Sequence, residues 1–131
     1  MFTITGKHYG NNVFPCLNNY LNEQGKSHFA GGKMKKDYMG IASDYIRFQL
    51  PMLQIKTPVT IDYHIFEPTR KRDKSNVGAF AVKVIEDALQ NCKVIPNDNW
   101  KYMKAYNVEV DYDKDNPRIE VTITALENYE V

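Results

Sequence analysis

The clearest alternation of apolar and polar side chains in this 131-residue sequence covers residues 59–66. Its apolar positions are Val59, Ile61, Tyr63 and Ile65. A period of two predicts a β-strand that buries one face, and Pro68 ends that strand. From Ser75 or Asn76 to about Cys92 the apolar side chains recur every three or four residues, which predicts an amphipathic helix. A strand followed closely by such a helix favours a fold that mixes both elements.

Weaker patterns complete the predicted order β-α-β-α-β-β. Residues 2–8 alternate as a short strand, and a long polar loop precedes a helix from Met34 to about Leu50. Two further strands, at residues 101–112 and 118–125, are joined by the turn DKDNPR. We therefore expect a small α/β (α+β) fold with a mixed sheet and two main helices. Residues 1–131 are expected to form one domain, because 43% hydrophobic and 25% charged residues suit a single core.

Two absences bear on location. No apolar run approaches the roughly 18 residues that a membrane span needs. The N-terminal sequence MFTITGKHYGNN lacks the apolar centre of a signal peptide. The chain is therefore expected to be soluble and intracellular, with no membrane partner.

Charge is unevenly distributed along the chain, although the net charge is only +1. Residues 1–83 hold 12 Lys or Arg against 6 Asp or Glu, whereas residues 84–131 hold 5 against 10. A basic first part can lie along a phosphate backbone while the later acids hold a metal ion or face solvent. An even distribution of these charges in space is the alternative.

The predicted second helix gathers groups that carry chemistry. On a helical wheel Asn76, Phe80, Lys83 and Asp87 lie within about 60° of one another, opposite the apolar stripe. Lys83 and Asp87 should therefore project from one surface. Asp73 precedes the helix, where an acid either caps free N–H groups or binds a ligand. Asp98 lies 11 residues beyond Asp87, in the turn-like PNDNW, where a solvated loop acid is the simpler interpretation.

These residues resemble the motif of the RusA-type Holliday junction resolvases, including the short forms of bacteriophages and prophages. That motif has a basic residue, D-x-D-N, a lysine on the next helix, D-A-L near its end, and a paired acidic turn. The present sequence has Arg72-Asp73-Lys74-Ser75-Asn76, Lys83, Asp87-Ala88-Leu89 and Asn97-Asp98. The segment PCLNNYLNEQGKSHFAGGKMKKDY is also similar to the opening of the family. The resemblance extends over most of the chain.

The resemblance implies a metal-dependent, structure-selective DNA endonuclease that resolves four-way junctions by paired symmetric nicks in recombination and repair. It implies metal-binding carboxylates at Asp73 and Asp98, a catalytic Lys83 and a Mg²⁺ or Mn²⁺ cofactor. Hard divalent cations bound by oxygen ligands supply a nucleophilic water and relieve charge on the phosphate. A homodimer is expected because two nicks on a two-fold junction require two related sites. The location implied is the cytoplasm of a bacterial or phage-infected cell.

Two positions depart from the motif and leave alternatives open. Ser75 stands where the family has its second aspartate, and Asn97 replaces the first acid of the paired turn. The site could be weaker, Ser75 could still be a ligand, or Asp87 or Glu86 could replace the missing carboxylate. A protein that binds junctions without cutting them is a further alternative, as is a small protein-interaction module.

Two basic runs and one amide are predicted to contact DNA. A cluster of cations beside a phosphodiester site should bind phosphates largely independently of base sequence and in a salt-dependent manner. Solvated surface charges are the alternative. His64, in an alternating strand, is expected to be exposed and not a ligand. The predicted DNA-binding residues are Lys33, Lys35, Lys36, Arg70, Lys71, Arg72, Lys74 and Asn76.

Overall fold

The alternating segment forms one of the two inner strands of a four-stranded sheet in the computed structural model, which describes residues 1–126. The elements in chain order are β1 (Phe2–Thr5), α1 (Leu17–Lys26), α2 (His28–Gln49), β2 (Val59–Glu67), α3 (Lys74–Asn91), β3 (Met103–Tyr112) and β4 (Arg118–Ala125). The predicted α+β class in one small domain is confirmed. β2, α3, β3 and β4 also agree with the predicted bounds to within two residues.

The sheet has the strand order β1-β4-β2-β3 and is mixed, as predicted. β2 runs parallel to β3 and antiparallel to β4, while β1 pairs with β4 in antiparallel register. Parallel neighbours need a crossover, and α3 supplies it between β2 and β3. β1 is shorter than expected because the chain leaves the strand at Gly6, whose φ of +88° suits glycine.

One face of the sheet is covered by helices and the other is polar. The alternate β2 side chains Val59, Ile61, Tyr63 and Ile65 are at most 1% exposed. The apolar stripe of α3 joins the same core through Val84, Ile85, Ala88 and Leu89. Across residues 1–126, no helix combines the length and the hydropathy needed to cross a bilayer.

The predicted long loop before residue 34 is wrong, because it contains α1 and the first turns of α2. Helix α1 is only ten residues long and has no fully buried residue, so its few apolar positions, Leu17, Tyr20 and Leu21, are a weak signal. Local hydrogen bonds begin both helices: Cys16 N–H donates to Asn19 Oδ1 at 2.9 Å, and Ala30 N–H donates to Ser27 Oγ at 3.0 Å. The two helices pack closely at Gly31, where a Cβ would lie 2.5 Å from Gln24 Cγ.

The predicted position of Phe80 on the polar face of its helix is also wrong. Phe80 is only 4% exposed, because α1 and α2 cover this side of α3. Its ring centroid lies 5.6 Å from that of Tyr20, 6.1 Å from Tyr38 and 6.5 Å from Phe14. Helix α3 is therefore buried on two sides and exposes a narrow strip that includes Ser75, Ala79 and Lys83.

Candidate active site along helix α3

Three segments of the chain, in α2, in α3 and after α3, meet around Lys83. Its Nζ lies 3.3 Å from Asp87 Oδ1 and 3.4 Å from Asp98 Oδ2. Lys35 reaches the same cluster from α2, with its Nζ 3.1 Å from Asp87 Oδ2. The prediction that Lys83 and Asp87 share a surface is confirmed, since residues four apart are neighbours on a helix. The structure adds Asp98, which comes from outside the helix.

A hydrogen-bonded turn holds Asp98 beside α3. The helix ends at Asn91, and Lys93, with a φ of +60°, reverses the chain. Asn97 Oδ1 then accepts from the backbone N–H of Asn99 at 3.0 Å, and Asn99 Oδ1 accepts from that of Lys101 at 3.0 Å. Such side-chain acceptors fix a tight turn. Asn97, which departs from the family motif, thus has a structural use as an acceptor.

Lys83 is a cation in this setting and not a proton acceptor. Burial alone lowers the pKa of Lys83, but the hydrogen bonds and negative charges of Asp87 and Asp98 outweigh it, so the pKa is raised above its usual value. A lysine of this kind acts as a fixed positive charge. It can therefore stabilise negative charge that develops on a nearby phosphate.

Glu86 lies beside this cluster and behaves differently from its neighbour Asp87. Its side chain is half-buried. Burial is the larger cause and the negative charge of Asp98 the next, and they raise the pKa of Glu86 to about 7. Within residues 1–126 its carboxylate has no hydrogen-bond or ion-pair partner. From the sequence, Glu86 and Asp87 were equal candidates to replace the missing carboxylate. Their contacts in the structure now distinguish the two residues.

Two clefts adjoin the exposed strip of α3. The first, of about 540 Å³, lies between α3 and β3 and has an apolar middle formed by Ala79, Val82, Tyr106 and Val108. Lys74 and Ser75 lie at one end of this cleft, and Lys83 and Glu86 lie at the other. The second, of about 450 Å³, is lined by Glu86, Asp98, Lys104, Tyr106 and Trp100, which is 94% exposed. The Lys104 ammonium donates to the backbone oxygen of Trp100 at 3.2 Å.

Asp73 lies at the opposite end of the helix from Asp98. It occupies the N-cap position of α3, is exposed, and makes no side-chain capping bond. Lys83 follows ten residues later, about 15 Å along the helix axis. Asp73 lines another cleft, together with Arg70, Lys74 and residues of β2 and β3. One chain therefore brings Lys83, Asp87 and Asp98 together but leaves Asp73 and Ser75 apart from them.

The guanidinium of Arg72 is engaged in contacts within the chain. Its Nε lies 2.8 Å from Glu67 Oε1 and its NH2 lies 3.0 Å from Oε2, while NH1 donates to Phe14 O at 3.0 Å. Glu67 is only 4% exposed, so this is a buried ion pair that anchors the segment before α3. These contacts give the guanidinium a structural role, and its contact with DNA stays a prediction.

The remaining predicted DNA-binding residues have different surroundings. Lys71 and Lys74 are exposed, and the Arg70 guanidinium lies 4.1 Å from the centroid of the Tyr112 ring. Asn76 Oδ1 accepts from Asn18 N–H at 3.0 Å, so this side chain links α1 to α3. On α2, Lys36 is exposed and Lys33 pairs with Asp37 at 2.7 Å. The basic group formed by Arg70, Lys71 and Lys74 flanks Asp73 in the sequence and is called the basic end of α3 below.

The donors beside Lys83 have the chemistry that Mg²⁺ and Mn²⁺ prefer. Glu86 and Asp98 offer hard carboxylate oxygens in one cleft, and Mg²⁺ is commonly held by one or two carboxylates together with waters and substrate phosphates. Lys83 contacts Asp98 through Oδ2, and no contact to Oδ1 is found within residues 1–126. The residues present therefore fit a divalent cation at this end of α3.

A second cluster, on the polar face of the sheet, was not predicted from the sequence. His64 Nε2 lies 2.6 Å from Asp111 Oδ2 and 3.9 Å from Glu109 Oε2. In the part of the chain that the structure describes, this is the one group of three such residues with ligand atoms within 4.8 Å of one another. The register that pairs His64 with Glu109 could not be read from the sequence. The imidazole is satisfied by Asp111, so the contacts here are complete without an ion.

Comparison with models of known protein families finds no match for this chain. Comparison with curated protein sequences likewise finds none. The class defined by the fold and the site is thus a small mixed α+β domain whose crossover helix carries a lysine between two carboxylates. The relation to RusA-type resolvases rests on the resemblance of the motifs.

Proposed function

We propose that this protein is a metal-dependent, structure-selective DNA endonuclease that resolves four-way junctions and acts as a homodimer. One observation carries the proposal: Lys83 Nζ lies between Asp87 and Asp98, 3.3 and 3.4 Å from their oxygens. These residues stand at the lysine, D-A-L and acidic-turn positions of the RusA-type motif. Their contact is the kind of arrangement that phosphodiester hydrolysis needs.

Each group has a separate role in this proposal. A bound Mg²⁺ or Mn²⁺ would supply a nucleophilic water and relieve charge on the phosphate. Asp98 and Asp73 are the carboxylates proposed to hold it. Lys83 remains positively charged, and its third N–H is available to a phosphate oxygen when the first two face Asp87 and Asp98.

The distance between the two ends of α3 supports the proposed homodimer. Ala79, exposed on the helix surface, lies midway along the chain between Asp73 and Glu86. Two α3 helices that cross antiparallel at Ala79 would place Asp73 of one protomer near the acidic cluster of its partner. Two composite sites related by a two-fold axis would then match the two symmetric nicks.

The surface around Ala79 is suited to such pairing. Tyr106 and Val108, 54% and 37% exposed, form with Ala79 an apolar patch of the kind that marks interaction sites. The cleft between α3 and β3 carries Lys74 at one end and Glu86 at the other. An antiparallel second copy would therefore place the basic end of one helix beside the acidic end of the other, whereas a parallel copy would bring like charges together.

The basic end of α3 supplies the DNA contacts in this proposal. Arg70, Lys71 and Lys74 are exposed and flank Asp73 in the sequence, and Arg70 and Lys74 line the same cleft as Asp73. Cations at these positions would bind phosphates, release counterions and hold the branch without reading its base sequence. Selectivity for four-way junctions would then come from the spacing between the two basic ends in the dimer.

Incubation with a labelled synthetic four-way junction in Mg²⁺, in Mn²⁺ and in EDTA tests the proposal. Paired nicks at symmetric positions that require the metal are the expected result. A mobility shift without nicks in any metal would replace it with a non-catalytic junction-binding protein, which the Ser75 substitution favours. Absence of both would leave a protein-interaction module.

A further inference from the structure

We infer that Glu86 and Asp98 together bind a divalent cation, and that Glu86 supplies the carboxylate missing at Ser75. This inference rests on the proposed function, because it assigns a further ligand to the same metal site. Ser75 lies at the basic end of α3, where it offers a hydroxyl in place of a carboxylate. Glu86 restores the negative charge at the other end, beside Asp98.

The first argument is the unpartnered carboxylate of Glu86. A half-buried carboxylate ordinarily finds a cation or a hydrogen-bond donor, because its desolvation is otherwise uncompensated. Lys83 lies three residues away on the helix, yet its ammonium faces Asp87 and Asp98. Glu86 instead lines the same cleft as Asp98, so two carboxyl groups open into one space there. A cation between them would relieve their repulsion.

The second argument is independent and comes from the sheet beneath. Tyr63 is 1% exposed, and its hydroxyl has no hydrogen-bond partner within residues 1–126. Burial, and then electrostatic interaction with Glu86, Tyr106 and Asp98, raises the pKa of Tyr63 well above its usual value. Tyr63 belongs to the core between the sheet and α3, the helix that carries Glu86. A water in the hydration shell of a bound ion would give this orphaned hydroxyl a partner.

The contacts of Asp87 exclude the competing assignment. Its Oδ1 lies 3.3 Å from Lys83 Nζ, and its Oδ2 lies 3.1 Å from Lys35 Nζ. Both oxygens are therefore neutralised, and an ion would have to displace two lysines. Two open carboxylates with several waters suit a hard, six-coordinate cation such as Mg²⁺ or Mn²⁺.

Terbium luminescence provides a test that does not depend on catalysis. Tb³⁺ seeks oxygen ligands, and it emits when an excited indole lies nearby. Trp100 is the single tryptophan of the chain and lines the same cleft as Glu86 and Asp98. Tb³⁺ added to the full-length protein without DNA should give saturable emission upon tryptophan excitation, which Mg²⁺ or Mn²⁺ displaces.

Glu86→Gln is expected to weaken Tb³⁺ binding by at least about tenfold, the loss typical of damaged metal sites. Glu86→Asp should recover part of this affinity. Glu109→Gln is the matched control, because it removes an exposed carboxylate of the His64 cluster, and it should bind Tb³⁺ as the wild type does. Circular dichroism verifies that each variant is folded.

Absence of sensitised emission from the wild type, or equal Tb³⁺ affinity in Glu86→Gln, would overturn the inference. The outcome is separable from that of the proposed function. A wild type that nicks junctions while Glu86→Gln binds Tb³⁺ normally removes Glu86 alone. Conversely, a Glu86-dependent Tb³⁺ site in a protein that never nicks DNA retains the cation site and removes the nuclease.

Discussion

The two ends of α3 carry opposite charges and use them differently. At the basic end, Arg70, Lys71 and Lys74 flank the exposed Asp73 in the sequence. At the other end, Lys83 is outnumbered by Glu86, Asp87 and Asp98. Residues of one sequence motif thus lie about 15 Å apart along the axis of α3. In the proposed homodimer a second copy of the helix would bring them together.

Neighbouring residues at each end also have contrasting roles. Arg72 is fixed in a buried pair with Glu67, whereas Lys71 beside it is exposed. Asp87 is held by two lysines, whereas Glu86 beside it has no such contact within residues 1–126. Charge counted along the sequence therefore overstates what is available to DNA and to metal ions. The variants below test this contrast in order of expected effect.

The largest effect is expected from the two proposed metal carboxylates. Asp73→Asn and Asp98→Asn should each lower the rate of junction cleavage by about a thousandfold, since several kcal/mol of charge stabilisation would be lost. Junction affinity, measured by mobility shift, should stay within about twofold. Asp44→Asn, at a carboxylate on the exposed side of α2, is the control and should cleave normally. Full activity in either metal-site variant would remove that residue from the site.

Arg72→Ala separates the structural cation from the DNA-binding ones. Loss of the guanidinium leaves Glu67 buried and unpaired, so the free energy of unfolding should fall by about 3 kcal/mol. Lys71→Ala should change it by less than about 0.5 kcal/mol, as expected for an exposed side chain. Urea unfolding followed by circular dichroism measures both. Equal stability of the two variants would show that the Arg72–Glu67 pair has no structural importance.

The lysines at the two ends of α3 should affect different quantities: Lys83 the cleavage rate, and the lysines of the basic end the affinity for the junction. Lys83→Ala is expected to lower the cleavage rate about tenfold while leaving affinity nearly unchanged, because its charge acts at the reacting phosphate. The double variant Lys71→Ala and Lys74→Ala should weaken junction binding. Its slope of log affinity against log salt should be shallower by about 2. The same pattern in both variants would contradict the division of roles.

The smallest effect is the dependence of stability on pH. The pKa of Glu86 is raised from 4.5 to about 7, so the folded state binds more protons than the unfolded state between these values. Stability should therefore fall as the pH rises from 4.5 to 7 and remain lower above 7. Because Glu86 is only half-buried, the loss should be on the order of 1 kcal/mol after screening. Glu86→Gln should abolish this component in metal-free urea titrations, and an unchanged pH profile would refute it.

Periodic elements were predictable from sequence, and those defined by tertiary contact were not. β2 and α3 have clear periods of two and about 3.6, because each buries a regular set of side chains. Helix α1 has no buried residue to reveal it. Phe80 is buried by Tyr20 of α1 and by Tyr38 of α2, a helix that was predicted but whose packing against α3 was not. In the site, helical spacing predicted the Lys83–Asp87 contact.

The remaining features of the site depend on how separate segments meet. The turn after α3 brings Asp98 to Lys83, and the end of β2 brings Glu67 to Arg72. Neither approach follows from spacing along one helix. The sequence also could not show that the carboxylate of Glu86 has no ion-pair partner within residues 1–126, because this depends on which acids the lysines contact in the fold. Spacing along the sequence predicted the candidate site residues, and their three-dimensional contacts distinguish among them.

Mixing two inactive variants tests the central claim most directly. In a dimer whose sites combine Asp73 of one chain with Asp98 of the other, a heterodimer of Asp73→Asn and Asp98→Asn chains has one intact site. Random exchange makes half of the dimers heterodimers, so Mg²⁺-dependent nicking of a four-way junction should return to about a quarter of the wild-type level. A mixture as inactive as either variant alone would contradict the proposed composite site.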